Sequence, residues 1–289
     1  PCLMTKAEPG GWNADSCPMP RIVVDHKSGP ALVMRQGSSV CGLAFYYERP
    51  SEDFPPTILL CGNGISISNV RIQYPHDAIM ADGRSNIGRL NIENVFIVQP
   101  SGVGVYVTRT YDIPTLRNIE VWCNGPMQPG PAFKFGRNDD LRASQLFAFN
   151  VRVGFQIERE PGKGGGGTWG TFTNCSTDAC SIGWRILGDG HVVVICGGIF
   201  WNHHDGLYID APGSEVLVSG AQFQSNGAPA VVCKSCQALL ISGCLFRRAF
   251  ENPNFVMLDL GGGERITVAN CQLGPESPGV RIGPGVRKV

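Results

Sequence analysis

The stretch ISNVRI at residues 67–72 returns as IENVFI at 92–97 and as LRNIEV at 116–121, each time apolar, any, Asn, apolar, any, apolar. FTNCST at 172–177 and VANCQL at 268–273 carry a related pattern, and VCGLAF, ASQLFA, CGGIFW, VSGAQF and ISGCLF are weaker copies. The third positions fall at Gly42, Asn69, Asn94, Asn118, Gln145, Asn174, Gly198, Gly220, Gly243 and Asn270, a mean spacing of about 25 residues from residue 38 onward. Apolar and polar residues alternate inside each copy, so the copies are strands and the repeat is not helical. A unit of this length with a fixed Asn or Gly at a bend fits one turn of a parallel β-helix, in which each coil stacks on the last. Asn tolerates the left-handed backbone of the bend and can hydrogen-bond to the Asn of the next coil, whereas Gly meets only the backbone need.

A second strand follows each bend after a loop. It reads ILLC (58–61), AIMAD (78–82), GVYVT (104–108), AFKFG (132–136), GFQIE (154–158), GWRIL (183–187) and GLYID (206–210). It continues as VVCK (231–234), VMLD (256–259) and VRIG (280–283). Alternation turns Ile79, Val105, Phe133, Phe155, Trp184, Leu207, Val231 and Val256 inward, with the residues two further on.

The composition agrees with a turn-rich, strand-rich body: 38 Gly and 21 Pro in 289 residues, and only 17% charged. Net charge is zero and no basic stripe exists, so neither nucleic acid nor an anionic membrane is an expected partner. No apolar run reaches the length of a membrane span, and the first 30 residues lack the parts of a signal peptide. Because the chain opens on Pro1, it reads as a processed or truncated product. Residues 1–37 are expected to form an N-terminal arm or partial cap, and residues 38–289 the solenoid.

GLAFYYERPSEDFPPTILLCGNGISISNV at 42–70 and YDIPTLRNIEVW at 111–122 resemble pectate-lyase-like and polygalacturonase-related proteins of the pectate lyase superfamily. The resemblance implies an all-β, single-stranded, right-handed parallel β-helix solenoid of about ten coils and an extracellular or cell-surface location. It does not carry catalytic residues across, because of the polygalacturonase signatures only Asp139-Asp140 has a literal counterpart, and that pair falls on a turn.

Twelve cysteines are about 4% of the chain, below the density of a disulfide scaffold. The repeat places Cys175, Cys196, Cys233, Cys244 and Cys271 in the core as small hydrophobes. Cys233-x-x-Cys236 lacks the second pair a zinc ribbon needs, and Cys2 and Cys17 could pair only in an oxidising compartment.

Chemistry is expected on the outward face of the second strand, where one side chain per coil repeats at about 4.8 Å and suits an extended polymer. One row carries Tyr106, Lys134, Gln156, Arg185 and Tyr208, and the row beside it Asp82, Glu158 and Asp210. Tyrosines can form a sugar platform, and paired carboxyls can run acid–base chemistry on a glycosidic bond. Glu158 and Asp210 lie two coils apart, roughly 10 Å, which is near the inverting separation and too far for a retaining pair. Elimination would instead use Lys134 or Arg185 beside a tyrosine on a uronate, with calcium at Asp82, Glu158 or Asp210 as an optional helper. No cofactor is required by either route, and no metal site is assigned.

Trp201, Asn202, His203, His204 and Asp205 are placed in the loop leading into the Tyr208 strand, bordering the same face. The segment EREPGKGGGGTWG at 158–170 reads as a flap over the middle coils rather than a phosphate cradle, since no helix follows it. The sequence therefore points to a polysaccharide-cleaving β-helix, with hydrolysis ahead of elimination. Glu158, Asp210, Arg185 and Lys134 are the candidate catalytic residues. Tyr106, Tyr208, Gln156, Asp82, Trp201, His203, His204 and Asp205 are the candidate substrate contacts. The alternative is a non-catalytic glycan-binding, tailspike-like or adhesin module. A homotrimer or an additional capping domain could cover the solenoid ends.

Overall fold

A computed structural model describes residues 19–48, 54–160, 162, 165–225, 228–248, 256–274 and 279–288. The regular elements among them are all strands, and successive turns pair in parallel to give a solenoid of about ten turns. Each turn contributes to three sheets. The leading sheet precedes the bend, the side sheet follows it, and the front sheet contains the second strand of the repeat.

The front sheet runs through Leu32–Arg35, Ile58–Cys61, Ile79–Ala81, Val105–Val107, Gln128–Phe135, Val151–Glu158 and Ile182–Leu187. It goes on through the first residues of Leu207–Ser219 and Val231–Ser242, then Leu258–Gly263 and Val280–Val286. Turn by turn the partners match as the alternation requires, for example Phe133 with Phe155 and Phe155 with Trp184.

The bends hold the left-handed backbone that the Asn/Gly repeat implies, with φ of 52° at Asn69, 54° at Asn94, 52° at Asn118 and 57° at Gln145. Asn94 Nδ2 donates to Asn69 Oδ1 at 3.3 Å, and Asn118 Nδ2 donates to Asn94 Oδ1 at 2.9 Å. This is the expected ladder. A second row of left-handed residues, Tyr74, Gln99, Asn150 and Ala179, closes the far end of the side sheet and has no common residue type by which to read it.

The core is a stack of rings and branched aliphatics. Phe133 stacks on Phe155 at 5.0 Å and Phe155 on Trp184 at 4.1 Å; Phe200, Phe223 and Phe246 build a second column that meets Trp184 at Phe200, and Phe172 of the leading sheet packs edge-on against Trp184. All seven are buried, and each such side chain contributes about 1.5–3 kcal/mol by leaving water.

Four expectations need correction. The seventh bend is Gly197, not Gly198, because Cys196 pairs with Thr173 and Ser219, the residues just before Asn174 and Gly220. Gly198 takes the inward place, where a Cβ would lie 2.0 Å from the Cys175 carbonyl oxygen. Cys196 therefore faces outward, while Cys175, Cys233 and Cys244 are core residues and Cys271 is only half-buried. In the front sheet Val231 pairs with Leu258, so Leu258 and Leu260 replace Val256 as the inward residues and Asp259 joins the outward row. Finally, Arg21–Val23 pairs with Ala44–Tyr46 and Leu32–Arg35 with Ile58–Cys61, so the solenoid begins before residue 38. Cys2, Cys17 and the rest of residues 1–18 lie outside the described residues. At the first described turns an apolar mouth of about 300 Å³ is lined by Ile22, Leu32, Met34, Val40, Leu43 and Phe45.

Candidate substrate-binding face

The front sheet brings Tyr106, Lys134, Gln156, Arg185 and Tyr208 into one outward row on successive turns. In the adjacent row Glu158 pairs with Leu187 and Leu187 with Asp210, which sets the two carboxylates two turns apart. The five-residue row and the two-coil separation are as the alternation requires. Val232, Asp259 and Arg281 extend the first row.

These side chains are joined. Lys134 Nζ lies 2.6 Å from Glu158 Oε1 and sits over the Tyr106 ring, 5.1 Å from its centroid. Gln156 Nε2 donates to Glu158 Oε2 at 2.6 Å, and Arg185 donates to the Gln156 amide oxygen. The Arg185 Nε is buried without a partner. Asp210 is exposed and accepts from the Ser235 hydroxyl at 2.7 Å. Burial pushes both phenols above their ordinary range; Glu160 and Glu158 add to this at Tyr106, and Asp210 and Asp205 at Tyr208.

Four participants escaped the sequence. Glu160, just past the end of Val151–Glu158, accepts from Thr108 Oγ1 at 2.8 Å and Arg109 Nε at 2.7 Å. Its carboxylate closes one edge of the face beside Tyr106. Gly136 leaves the space they use, since a Cβ there would meet Thr108 Oγ1 at 2.4 Å. The pairing of Glu160 with residues about 50 positions earlier depends on the course of the loop after Glu158, which no periodicity encodes. Residues 161, 163 and 164 of the expected flap lie outside the described residues.

The remaining candidates are dispersed. Asp82 Oδ1 accepts from the amides of Arg84 and Ser85 at 2.8 Å each, and Oδ2 from Ser85 Oγ at 2.6 Å. Burial opposes its ionisation, but these hydrogen bonds outweigh burial and hold the carboxyl below its usual range. Asp82 is thus the anchor of a turn and does not converge with Glu158 or Asp210. Among the described residues no three His, Cys, Asp or Glu side chains come together as a metal site. His203 and His204 are exposed in the loop, and Asp205 is half-buried at the Tyr208 edge, its carboxyl raised by burial against the opposing charges of His204 and Lys234.

Trp201 requires a correction. The strand Ile199–Asn202 continues through it, so Trp201 stands on the side sheet and not in the loop bordering the front face. Asn202 is buried.

No family model and no curated protein matches the chain. Two solved structures of the catalytic domain of a GH87 alpha-1,3-glucanase in complex with nigerose are similar to it, with TM-scores of 0.51 and 0.50 at 10% and 11% identity. Each likeness covers 93% of this chain and 58% of that chain, so the protein spans less than two thirds of their length. At this identity the comparison bears on architecture: the chain shares the parallel β-solenoid fold of these glucanase domains.

Proposed function

We propose that the chain is a secreted or cell-surface, pectate-lyase-like glycoside hydrolase that binds a polysaccharide across the front sheet and cleaves it with inversion. The observation that carries this reading is the register. It aligns Tyr106, Lys134, Gln156, Arg185 and Tyr208 in one row and sets Glu158 and Asp210 in the next, roughly 10 Å apart along the backbone. That separation leaves room for a water and a sugar ring between two carboxyl groups, whereas a retaining pair would sit about 5 Å apart.

Glu158 is fixed by Lys134 and Gln156 and is placed to orient the water. Asp210, more open and accepting from Ser235, is the second carboxyl of the pair, across the gap from Glu158. Elimination is the weaker reading because the Lys134 ammonium is committed to Glu158 and both tyrosines are held in their neutral form. Calcium would serve only that weaker route. A cap or a second chain over the apolar mouth is part of the proposal, as the strand edges of a solenoid end call for cover.

A specific observation favours a second reading, a non-catalytic glycan-binding solenoid: the front-face charges already satisfy one another, as in Lys134 with Glu158 and Arg281 with Asp259. One assay separates them. The protein is incubated with α-1,3-glucan and a panel of neutral and uronate polysaccharides, with and without calcium, and released oligosaccharides are weighed by mass spectrometry. Products that have gained water, lost in Glu158→Gln and Asp210→Asn while binding persists, support the hydrolase. Unsaturated products mean a lyase, and binding without products means the non-catalytic module.

A further inference from the structure

Trp201 stands outward on the side sheet in one row with Asp178 on the turn before it and Gln224 and Arg247 on the turns after it. Its side chain is 43% exposed, and Ile199 on the same strand 52%. Earlier in this row the rings cover one another: Trp122 stacks on Phe149 with centroids 4.3 Å apart and planes 20° apart. Among the described residues no ring packs on Trp201, so the indole offers its own surface to solvent.

We propose that Trp201, Asp178 and Gln224 form a carbohydrate contact site on the side sheet, separate from the front face, that takes one ring of a neutral, hydroxyl-rich glycan. A pyranose presents an apolar C–H face and a rim of hydroxyls, and it therefore needs an exposed aromatic surface with hydrogen-bonding groups about one ring away on either side. The solenoid supplies this spacing, since Asp178 and Gln224 sit one turn, about 4.8 Å, before and after Trp201. Asp178 accepts from hydroxyls, and the Gln224 amide both accepts and donates. His203, two residues beyond Trp201, is close enough to Asp178 for their charges to interact and adds a further polar group at the rim.

A protein partner fits this place poorly. On the turns directly beside Ile199 and Trp201 the outward places are polar, Asp178 and Ser176 on one side and Gln222 and Gln224 on the other. A stable protein interface needs about 800 Å² on each partner. The loop at residues 203–206 separates Trp201 from Tyr208, so a chain on the front face and a ring on Trp201 occupy different faces of one turn. The side site thus gives a polymer a second hold. It rests on the reading that the protein handles polysaccharide, though not on the front face being catalytic.

The test follows indole N–H signals of ¹⁵N-labelled full chain by NMR, with Trp201→Ala identifying the Trp201 signal by its loss. Nigerotetraose, cellotetraose and xylotetraose are titrated into the wild type and into a Lys134→Ala/Arg185→Ala variant that disables the front face. The expected result is that one of these probes moves the Trp201 signal in both proteins, with binding weakened about tenfold or more by Asp178→Ala. The proposal is overturned if no probe moves that signal at about 10 mM, or if Asp178→Ala and Gln224→Ala both bind like the wild type. A shift with protein concentration alone would overturn it too, because a second copy would then be the occupant. If only the front-face reading fails, products are absent while the Trp201 response survives.

Discussion

Glu160 reaches back across two turns of the solenoid to set one carboxylate oxygen 2.7 Å from Arg109 Nε, and gives its other oxygen to the Thr108 hydroxyl. The Glu160 side chain is only 9% exposed, so this contact ties the segment after Glu158 to the front-face edge beside Tyr106. Burial is the main reason the Tyr106 phenol lies above its ordinary value of 10.0, and the Glu160 charge adds to it. In Glu160→Gln the phenol should therefore ionise at lower pH than in the wild type while remaining above 10.0. Titration of ¹³C-labelled tyrosine by NMR checks this, and an unmoved Tyr106 would refute the coupling.

The Asn ladder predicts an unusual ranking of substitutions. Asn94 both donates to Asn69 and accepts from Asn118, at a φ of 54°. Asn94→Gly removes two hydrogen bonds, about 1–2 kcal/mol. Asn94→Ala removes the same bonds and adds about 1–2 kcal/mol of left-handed strain. Urea denaturation should thus find Ala less stable than Gly, and the opposite order would mean that the bend is unstrained.

Trp184 joins the two aromatic columns, stacking on Phe155 at 4.1 Å and meeting Phe200 edge-on at 6.1 Å, with Phe172 edge-on at 5.0 Å beside it. Its indole N–H is buried with no acceptor. Trp184→Ala should lose about 3–5 kcal/mol through the cavity it leaves. Trp184→Phe should lose less than about 1.5 kcal/mol, because it keeps the stacking and removes the orphaned donor. Chemical denaturation of both variants gives the comparison.

Acid should weaken the fold through His191. The ring is buried, accepts from the Thr168 amide at Nδ1 and donates from Nε2 to the Leu187 carbonyl, which only the neutral form can do. Burial lowers its pKa from 6.5, with the Leu187 hydrogen bond and Asp189 opposing. Because the folded value is the lower one, the unfolded chain takes the proton first. The contribution is then intact above pH 6.5 and lost as the pH falls from there toward the folded value. The slope from this group is at most about 1.4 kcal/mol per pH unit. Thermal melts from roughly pH 8 to 5 should show it, and His191→Phe should flatten that part of the curve.

The fold was legible because the bend residues declare themselves: Asn69, Asn94, Asn118, Asn174 and Asn270 each mark a left-handed position. The errors have physical causes. Two adjacent glycines satisfy the same bend, so the pattern could not choose Gly197 over Gly198. A shift of two residues preserves alternation, and hence VMLD could not reveal that Leu258 and not Val256 aligns with Val231. Trp201 was misplaced because its strand runs on to Asn202 beyond the visible repeat. Within the site, the row from Tyr106 to Tyr208 followed from parity, while Glu160 with Arg109 required a loop path and Asp82 was captured by its own turn.

The matching of Tyr106, Lys134, Gln156, Arg185 and Tyr208 rung upon rung means that length is a free variable in this architecture. Each turn is bonded chiefly to the turn on either side, so a gene duplication that copied one whole repeat could slip between two existing turns without disturbing distant ones. Such an insertion would lengthen the front face by about 4.8 Å and add one more outward side chain. The length of the front face can evolve like the number of rungs on a ladder, by counting, without reinventing the rung.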